Sequence, residues 1–346
     1  MIPLQISVII PTFNRWDILL QCISALKEQT LDPSSYEVIV IDDGSTDDAY
    51  KTFISREGTN NFKEIRFPNL RYFHQKKNGP GSARNLGIRQ ARGRILIFLG
   101  DDIIASKNLL EEHLLFHKEK FQGENFACLG YVTWPSEFQS TPFLHFMENW
   151  GQFLYGNVTH GEELNYNYFY TSNISLKKEF LDKKNLLLDE NFKYAAWEDI
   201  EFGYRLGKEG LKIIFNKNAI AFHNHIPTIE SAMSRMETSG KSLFILLKKW
   251  PEFAKNFGFV KAEKGFIPRH RLIKYIIRNK LSVSAMVGLL KLFKSIPLSP
   301  PLPKGDLVGF SYIKKTQNRL LKEIYKNILL FHLQKNFEEA QKNCQL

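Results

Sequence analysis

The chain has 346 residues, 43% of them hydrophobic and 24% charged, a globular composition that excludes a disordered or collagen-like protein. Its net charge of +11 is unevenly placed: residues 1–226 hold 25 Lys and Arg against 28 Asp and Glu, whereas residues 227–346 hold 22 against 8. Cys22, Cys128 and Cys344 have neither metal-ligand nor disulfide-framework spacing, and no run reaches about 18 uninterrupted apolar residues, which excludes a zinc ribbon, a disulfide scaffold and a membrane span.

The start, Met1-Ile2-Pro3-Leu4-Gln5, lacks a basic region and reads as the approach to a strand, not as a signal peptide. Ile6 to Ile10 is a nearly continuous apolar run, the pattern of a strand buried on both faces, and Pro11 is expected to end it. A helix follows from about Trp16, with Leu19, Leu20, Ile23 and Leu26 on one face. Glu37 to Ile41 is a second strand. Asp43-Gly44-Ser45 turns, and Ser45 or Asp47 caps a helix to about Arg56. Leu70 to His74 is a third strand. Gly79-Pro80-Gly81 breaks the chain before a helix from Ser82 to Arg92, and Ile95 to Leu99 is a fourth strand. This alternation predicts an α/β fold with a mainly parallel sheet.

Beyond Asp102 the pattern loosens. Asn108 to Phe121 reads as helix, Ala127 to Trp134 and Tyr168 to Leu176 as extended, with an aromatic-rich loop region over Phe143 to Tyr155. Helix Asp199 to Lys208 and strands Lys212 to Phe215 and Ala219 to His225 complete a first domain, 1–226. Residues 227–346 read as a basic helical region: Leu281 to Ile296 is its most apolar helix, Leu298 to Pro303 a stiff break, and Ser311 to about Ala340 a further amphipathic helix.

The acidic pairs carry the chemistry. Asp42-Asp43 and Asp101-Asp102 each follow an apolar strand, and Glu198-Asp199 opens an amphipathic helix. Ligands of open α/β sheets bind at the carboxyl ends of strands, so the first two pairs are expected to face one crevice. Carboxylates gathered there suit a hard divalent cation, which in turn suits a diphosphate. Gly79-Pro80-Gly81 allows close backbone approach, and the helix after it favours negative charge. No Gly-x-Gly-x-x-Gly follows the first strand, which argues against a dehydrogenase.

Ile9-Ile10-Pro11-Thr12-Phe13-Asn14-Arg15, Val40-Ile41-Asp42-Asp43-Gly44-Ser45, Gly79-Pro80-Gly81-Ser82-Ala83-Arg84-Asn85, Phe98-Leu99-Gly100-Asp101-Asp102 and Glu198-Asp199-Ile200-Glu201-Phe202 together resemble glycosyltransferase family 2. The resemblance spans roughly residues 4–226. It implies a GT-A fold, to which the helical region 227–346 is a C-terminal extension, and inverting transfer from a nucleotide-diphosphate sugar, with UDP expected ahead of GDP or dTDP. It assigns donor contacts to Pro11, Thr12, Asn14, Asp42, Gly79, Arg84, Asp101 and Asn173, Mn²⁺ or Mg²⁺ ligation to Asp102 and His223 (His225 less so), the catalytic base to Asp199, and acceptor orientation to Glu198. Trp197 is a stacking or packing residue, and Trp134 and Trp150 are acceptor platforms or structural aromatics. Gly100 departs from the family's Asp-x-Asp pattern, where an acid precedes the pair.

The expected acceptor is a glycan or lipid-linked glycan of surface polysaccharide or cell-envelope synthesis. The basic C-terminal helices fit an anionic membrane surface, placing the enzyme in the cytoplasm or peripherally at the inner face of the membrane. Two other readings compete: a nucleotide-sugar-binding or scaffold protein of the same fold without turnover, and a nucleic-acid-binding module. The basic tail lacks interleaved aromatics and zinc-finger spacing, so no nucleic acid is expected.

Overall fold

The computed structural model describes residues 4–47, 67, 69–136, 141–256 and 307–343. The helix expected to end near Arg56, the apolar helix 281–296 and the break at 298–303 lie outside the described residues. In chain order the elements are β1 (Ile6–Thr12), α1 (Trp16–Lys27), β2 (Tyr36–Asp42), β3 (Leu70–His74), α2 (Pro80–Gln90), β4 (Ile95–Leu99), β5 (Ile103–Ala105), α3 (Leu109–Leu115), β6 (Phe126–Thr133), α4 (Pro142–Phe146), β7 (Glu163–Leu164), β8 (Asn173–Lys177), α5 (Lys178–Lys184), α6 (Glu198–Lys208), β9 (Lys212–His223), α7 (Ile229–Lys249) and α8 (Leu307–Asn343). They fall into two compact units, Met1–Gln139 with Glu148–Ile226, and Ser140–Met147 with Pro227–Leu346.

The first unit is built on one sheet in the order β3-β2-β1-β4-β8-β6-β9-β5, with β7 beside β9. The first four strands are parallel, as the largely apolar runs of β1, β2 and β4 predict; Val8, Ile10, Val38, Val40, Ile97 and Leu99 are all fully buried. Each such side chain contributes roughly 1.5–3 kcal/mol by leaving water, so a charge at Val40 would unseat the sheet centre. Helix α2 lies close on β1: a methyl on Gly87 would come 2.4 Å from Ile9 Cγ2. Strand β1 runs through Pro11 to Thr12, one turn of pleat past the expected stop, because β2 pairs with it as far as Thr12 opposite Asp42. Helix α2 starts at Pro80, two residues before the expected Ser82, since proline suits the first helical position.

The second half of the sheet is mixed. Strand β8 runs antiparallel to β4, and β5, three residues long, antiparallel to β9. The extended stretch expected from Tyr168 forms a strand only from Asn173, and a short helical turn occupies Tyr166–Tyr168. Strand β9 is continuous where two strands were expected. Its register against β6 shifts once: Gly130 faces Asn216 and the next residue, Tyr131, faces Ile220.

Asn173, at the start of β8, belongs to a buried polar network. Its Nδ2 donates to the Ala219 carbonyl at 3.0 Å, so its Oδ1 accepts from His113 Nε2 at 2.9 Å. His113 Nδ1 then accepts from Ser175 Oγ, and that hydroxyl accepts from His117 Nε2, each at 2.8 Å. Burial lowers His113 to about 4 and His117 to about 3, so both rings are neutral near pH 7 and this tautomer chain is self-consistent.

In the second unit α7 carries a capping box at Thr228 and Ser231. Gly240 of α7 meets α8 closely, with Leu333 O and Asn336 Cβ each 2.8 Å from where a methyl would sit. Leu243, Leu246, Ile328 and Phe337 form the apolar seam between these helices, and Tyr325 packs on Phe143 and Phe146 of α4. Among the described residues no helix is long and apolar enough to cross a membrane.

Candidate active site

The parallel strands deliver their carboxyl ends together. Thr12 ends β1, Asp42 ends β2, and Gly100-Asp101-Asp102 follow β4. Thr12 Oγ1 donates to Asp101 Oδ2 at 2.9 Å, which ties the first and fourth strands. Arg15, in the loop after β1, spans both aspartates: Nη1 stands 2.9 Å from Asp101 Oδ1 and Nη2 2.8 Å from Asp102 Oδ2. Arg15 lies within the first motif but carries no expected role in the sequence. The available signal was charge balance, since two adjacent carboxylates at a buried strand end require a cation and Arg15 lies in the neighbouring strand's loop.

Burial raises the Asp101 carboxyl to about 6; Arg15 opposes this, Asp102 adds to it, and Thr12 and Arg84 oppose it. For Arg15 burial works against the charge, and the two aspartates outweigh it, leaving its pKa above the ordinary arginine value. The short β5 brings His223 next to Asp102 by pairing Ile103 with His223, and Asn224 N donates to the Asp102 carbonyl at 2.7 Å. His223 Nε2 stands 3.9 Å from Asp102 Oδ2. His223 Nδ1 is 2.9 Å from the His225 carbonyl; a proton there leaves the Nε2 lone pair facing Asp102.

This pair fits one divalent ion. Two donors, each about 2.1 Å from a shared ion, lie at most about 4.2 Å apart. Among the described residues no three His, Cys, Asp or Glu side chains group as a metal site. An ion held at this pair would have two side-chain ligands, and diphosphate and water oxygens would have to complete its shell. Gly100 is constrained here: a methyl at this position would come 2.9 Å from Asp102 Oδ1.

The third acidic pair opens α6. Trp197, its N-cap, has φ +68°, an uncommon conformation for a bulky side chain and one that costs about 1–2 kcal/mol. Glu198 turns inward, with its side chain 4% exposed, and accepts from Arg84 Nη1 at 3.1 Å; the Arg84 side chain is 9% exposed. Burial, and then the neighbouring Asp199 charge, hold the Glu198 carboxyl above its ordinary range, against the pull of Arg84. Glu198 Oε2 and Arg84 Nε have no hydrogen-bond partner among the described residues. Asp199 is only partly buried, and its Oδ1 accepts from Ile200 N at 2.8 Å. Glu201 and Arg205 fork together on the inner face of α6, and Arg205 Nη2 donates to the Leu187 carbonyl.

Other expected donor contacts are occupied by the protein itself. Asp42 accepts from Ser45 N on one oxygen and from the Tyr72 hydroxyl on the other. Asn14, at φ +52°, accepts from Thr46 N and Asp47 N and so braces one loop on another. The Gly79 N–H is spent on Asp43 Oδ2 at 2.8 Å, and Asp43 Oδ1 holds Asn78 N and Gln75. The positive end of α2 is thus already complemented by a buried carboxylate of the chain. Asn173 is 0% exposed, with its amide committed to His113 and Ala219, which withdraws it from donor contact. Trp134 is also fully buried and donates to the His225 carbonyl, so its role here is to seat the His223 loop; Trp150 is exposed. Pro11, Thr12, Asp101, Asp102 and His223 lie at or next to the strand ends, while Arg84 of α2 pairs with Glu198, which with Asp199 opens α6.

A sheet with four parallel strands, an antiparallel flank and carboxylates at the strand ends is the GT-A architecture. Residues 7–185 match the family described as Glycosyl transferase family 2, and the chain belongs to it. A glycosyltransferase of Rickettsia felis is 40% identical over 116 residues, which cover 33% of this chain and 17% of that protein, so this chain spans a small part of that relative's length. Chondroitin synthase of Pasteurella multocida is 27% identical over 274 residues, 70% of this chain and 27% of the synthase. In fold, the chain resembles the mannosyltransferase PcManGT of Pyrobaculum calidifontis, solved with GDP-Man and Mn²⁺. The TM-score is 0.52 at 14% identity, covering 99% of this chain and 88% of that one.

Proposed function

We propose that the chain is an inverting, divalent-metal-dependent glycosyltransferase. It takes a sugar from a nucleoside-diphosphate donor, a UDP-sugar first, to a hydroxyl of a glycan or lipid-linked glycan in cell-envelope polysaccharide synthesis. The observation that carries this reading is the meeting of Asp102 and His223 at the ends of β4 and β9, 3.9 Å apart. The likeness to chondroitin synthase supports a polysaccharide acceptor, and the PcManGT complex supports a metal-bound diphosphate donor.

Asp102 and His223 would hold Mn²⁺ or Mg²⁺, which when bound neutralises charge on the leaving diphosphate. Asp199, at the open side of α6, takes the proton of the acceptor hydroxyl. That oxygen bonds to the anomeric carbon as the bond to the diphosphate oxygen breaks, and attack from the opposite face inverts the centre. Glu198, expected to orient the acceptor, is instead turned inward onto Arg84, where it would position the start of α6 and so aim Asp199. The basic span 227–346 would hold the enzyme at an anionic membrane; failure to float with anionic vesicles at low salt would remove that part.

The test is calorimetric binding of UDP, GDP and dTDP, with and without Mn²⁺, to the wild type and Asp102→Ala. Manganese-dependent binding of one nucleotide, lost in the variant, is the expected result. Nucleotide binding without turnover under any metal would favour the non-catalytic reading, which draws on Gly100 standing where the family carries an acid.

A further inference from the structure

An arginine already stands on the carboxylate of the candidate metal position. Arg15 Nη2 lies 2.8 Å from Asp102 Oδ2, the same oxygen that stands 3.9 Å from His223 Nε2. Its other nitrogen is 2.9 Å from Asp101 Oδ1, so one guanidinium fork closes both aspartates. A guanidinium is permanently charged and donates only, so while it sits there a metal ion sharing this Asp102 oxygen meets a second positive charge bonded to the same carboxylate.

The two ends of the arginine differ in freedom. Its backbone is fixed as the N-cap of α1, where its carbonyl accepts from Ile18 N and Leu19 N at 3.1 and 3.0 Å. Its side chain is 35% exposed, whereas Asp101 and Asp102 are 7% and 16% exposed. The movable partner is therefore the arginine, which can swing toward solvent from a rigid base, while the aspartates stay. A nucleoside diphosphate arriving at these strand ends would give the guanidinium a new anionic partner of matching fork geometry.

We propose that Arg15 is a built-in competitor for the divalent cation: it fills the cation position between Asp101 and Asp102 in the donor-free enzyme and releases Asp102 when metal and diphosphate arrive together. This rests on the metal-dependent reading above. Metal alone must displace the arginine with nothing to receive it, and so binds weakly. Metal with diphosphate binds tightly, because the same displacement ends in a new ion pair. The two ligands thereby become mutually cooperative, each raising the affinity of the other by one common factor. Neither the metal nor the diphosphate would then occupy the site for long alone.

The experiment is a Mn²⁺ titration followed by the electron paramagnetic resonance of free Mn²⁺ at about pH 8, where ordinary carboxylates are ionised. It uses the full chain as wild type, Arg15→Ala, Arg15→Gln and Arg15→Ala/Asp102→Asn, without nucleotide. Both single variants are expected to bind Mn²⁺ about tenfold more tightly than the wild type, the scale of one lost charge-assisted bond, and the gain should vanish in the double variant. Arg15→Gln keeps a side chain of similar reach without the charge, so it decides the matter if Arg15→Ala unfolds. A parallel titration with nucleotide should show the metal–nucleotide cooperativity shrinking by the same factor in the single variants. Unchanged or weakened Mn²⁺ binding in both single variants would overturn the proposal. If wild-type nucleotide binding still required Mn²⁺ in that case, only the role of Arg15 would fall. If wild-type nucleotide binding ignored Mn²⁺ altogether, the metal-dependent reading would fall with it.

Discussion

Removing Arg84 should produce a loss of stability that depends on pH in a predictable direction. Arg84→Met keeps the length of the stem in a buried position and deletes the charge that faces Glu198 at 3.1 Å. Breaking a buried pair by removing one partner typically costs about 3–5 kcal/mol, because a charge is stranded. Glu198 has an escape, since burial already holds its pKa above the ordinary range and loss of Arg84 raises it further. In the folded variant the carboxyl therefore takes up a proton near neutrality, while the unfolded chain ionises it. The folded state then binds more protons than the unfolded one, so stability falls as pH rises, by up to about 1.4 kcal/mol per pH unit for one site. At pH 6 the variant should lose only the packing difference, below about 1.5 kcal/mol, and by pH 9 it should approach the full cost of a broken pair. Urea unfolding of the wild type, Arg84→Met and Arg84→Met/Glu198→Gln across this range measures it. A gap between wild type and Arg84→Met that stays constant with pH would refute the reasoning. So would a double variant that keeps the steep slope.

Further outcomes follow from the same geometry. Asp199→Asn should lower turnover by about 10²–10⁴-fold while leaving nucleotide binding intact, as single-turnover kinetics beside calorimetry would show. Gly100→Asp, which restores an acid before the Asp101-Asp102 pair, should weaken Mn²⁺-dependent nucleotide binding, because its Cβ would crowd Asp102 Oδ1 at 2.9 Å; a gain in affinity would show that the loop yields. His113 and His117 have lowered pKa values in the fold, so the unfolded chain binds more protons below about pH 6.5 and stability should drop as pH falls through about 6 to 4. Their imidazole NMR signals should not titrate between pH 5 and 8 in the native protein.

Much of the parallel half was legible because it is locally encoded. The runs 8–10, 38–41 and 95–99 are continuous apolar segments, and short apolar runs bounded by turns admit few other structures. The acidic pairs could be placed at strand ends for the same reason. What could not be read depends on contacts between distant positions. Strand β5 has three residues, too few for a periodic signal, and exists because β9 pairs with it. The placement of several expected site residues was likewise set by a remote partner: Gly79 and Asn173, expected donor contacts, by Asp43 and by His113 with Ala219, and Trp134, a candidate acceptor platform, by the His225 carbonyl. Asn and Gly are read as exposed loop formers by type, and burial overrides type once a partner satisfies their polar groups.

The register shift between β6 and β9 makes strand length itself a determinant of the site. One step along β6, from Gly130 to Tyr131, matches four along β9, from Asn216 to Ile220, so three residues stand outside the ladder. Side chains alternate faces along a strand, and an odd surplus exchanges the faces of everything downstream. His223 looks toward Asp102 only under that parity. A single-residue insertion or deletion at 217–219 that the bulge did not take up would present Phe222 or Asn224 instead, abolishing a metal ligand without mutating it.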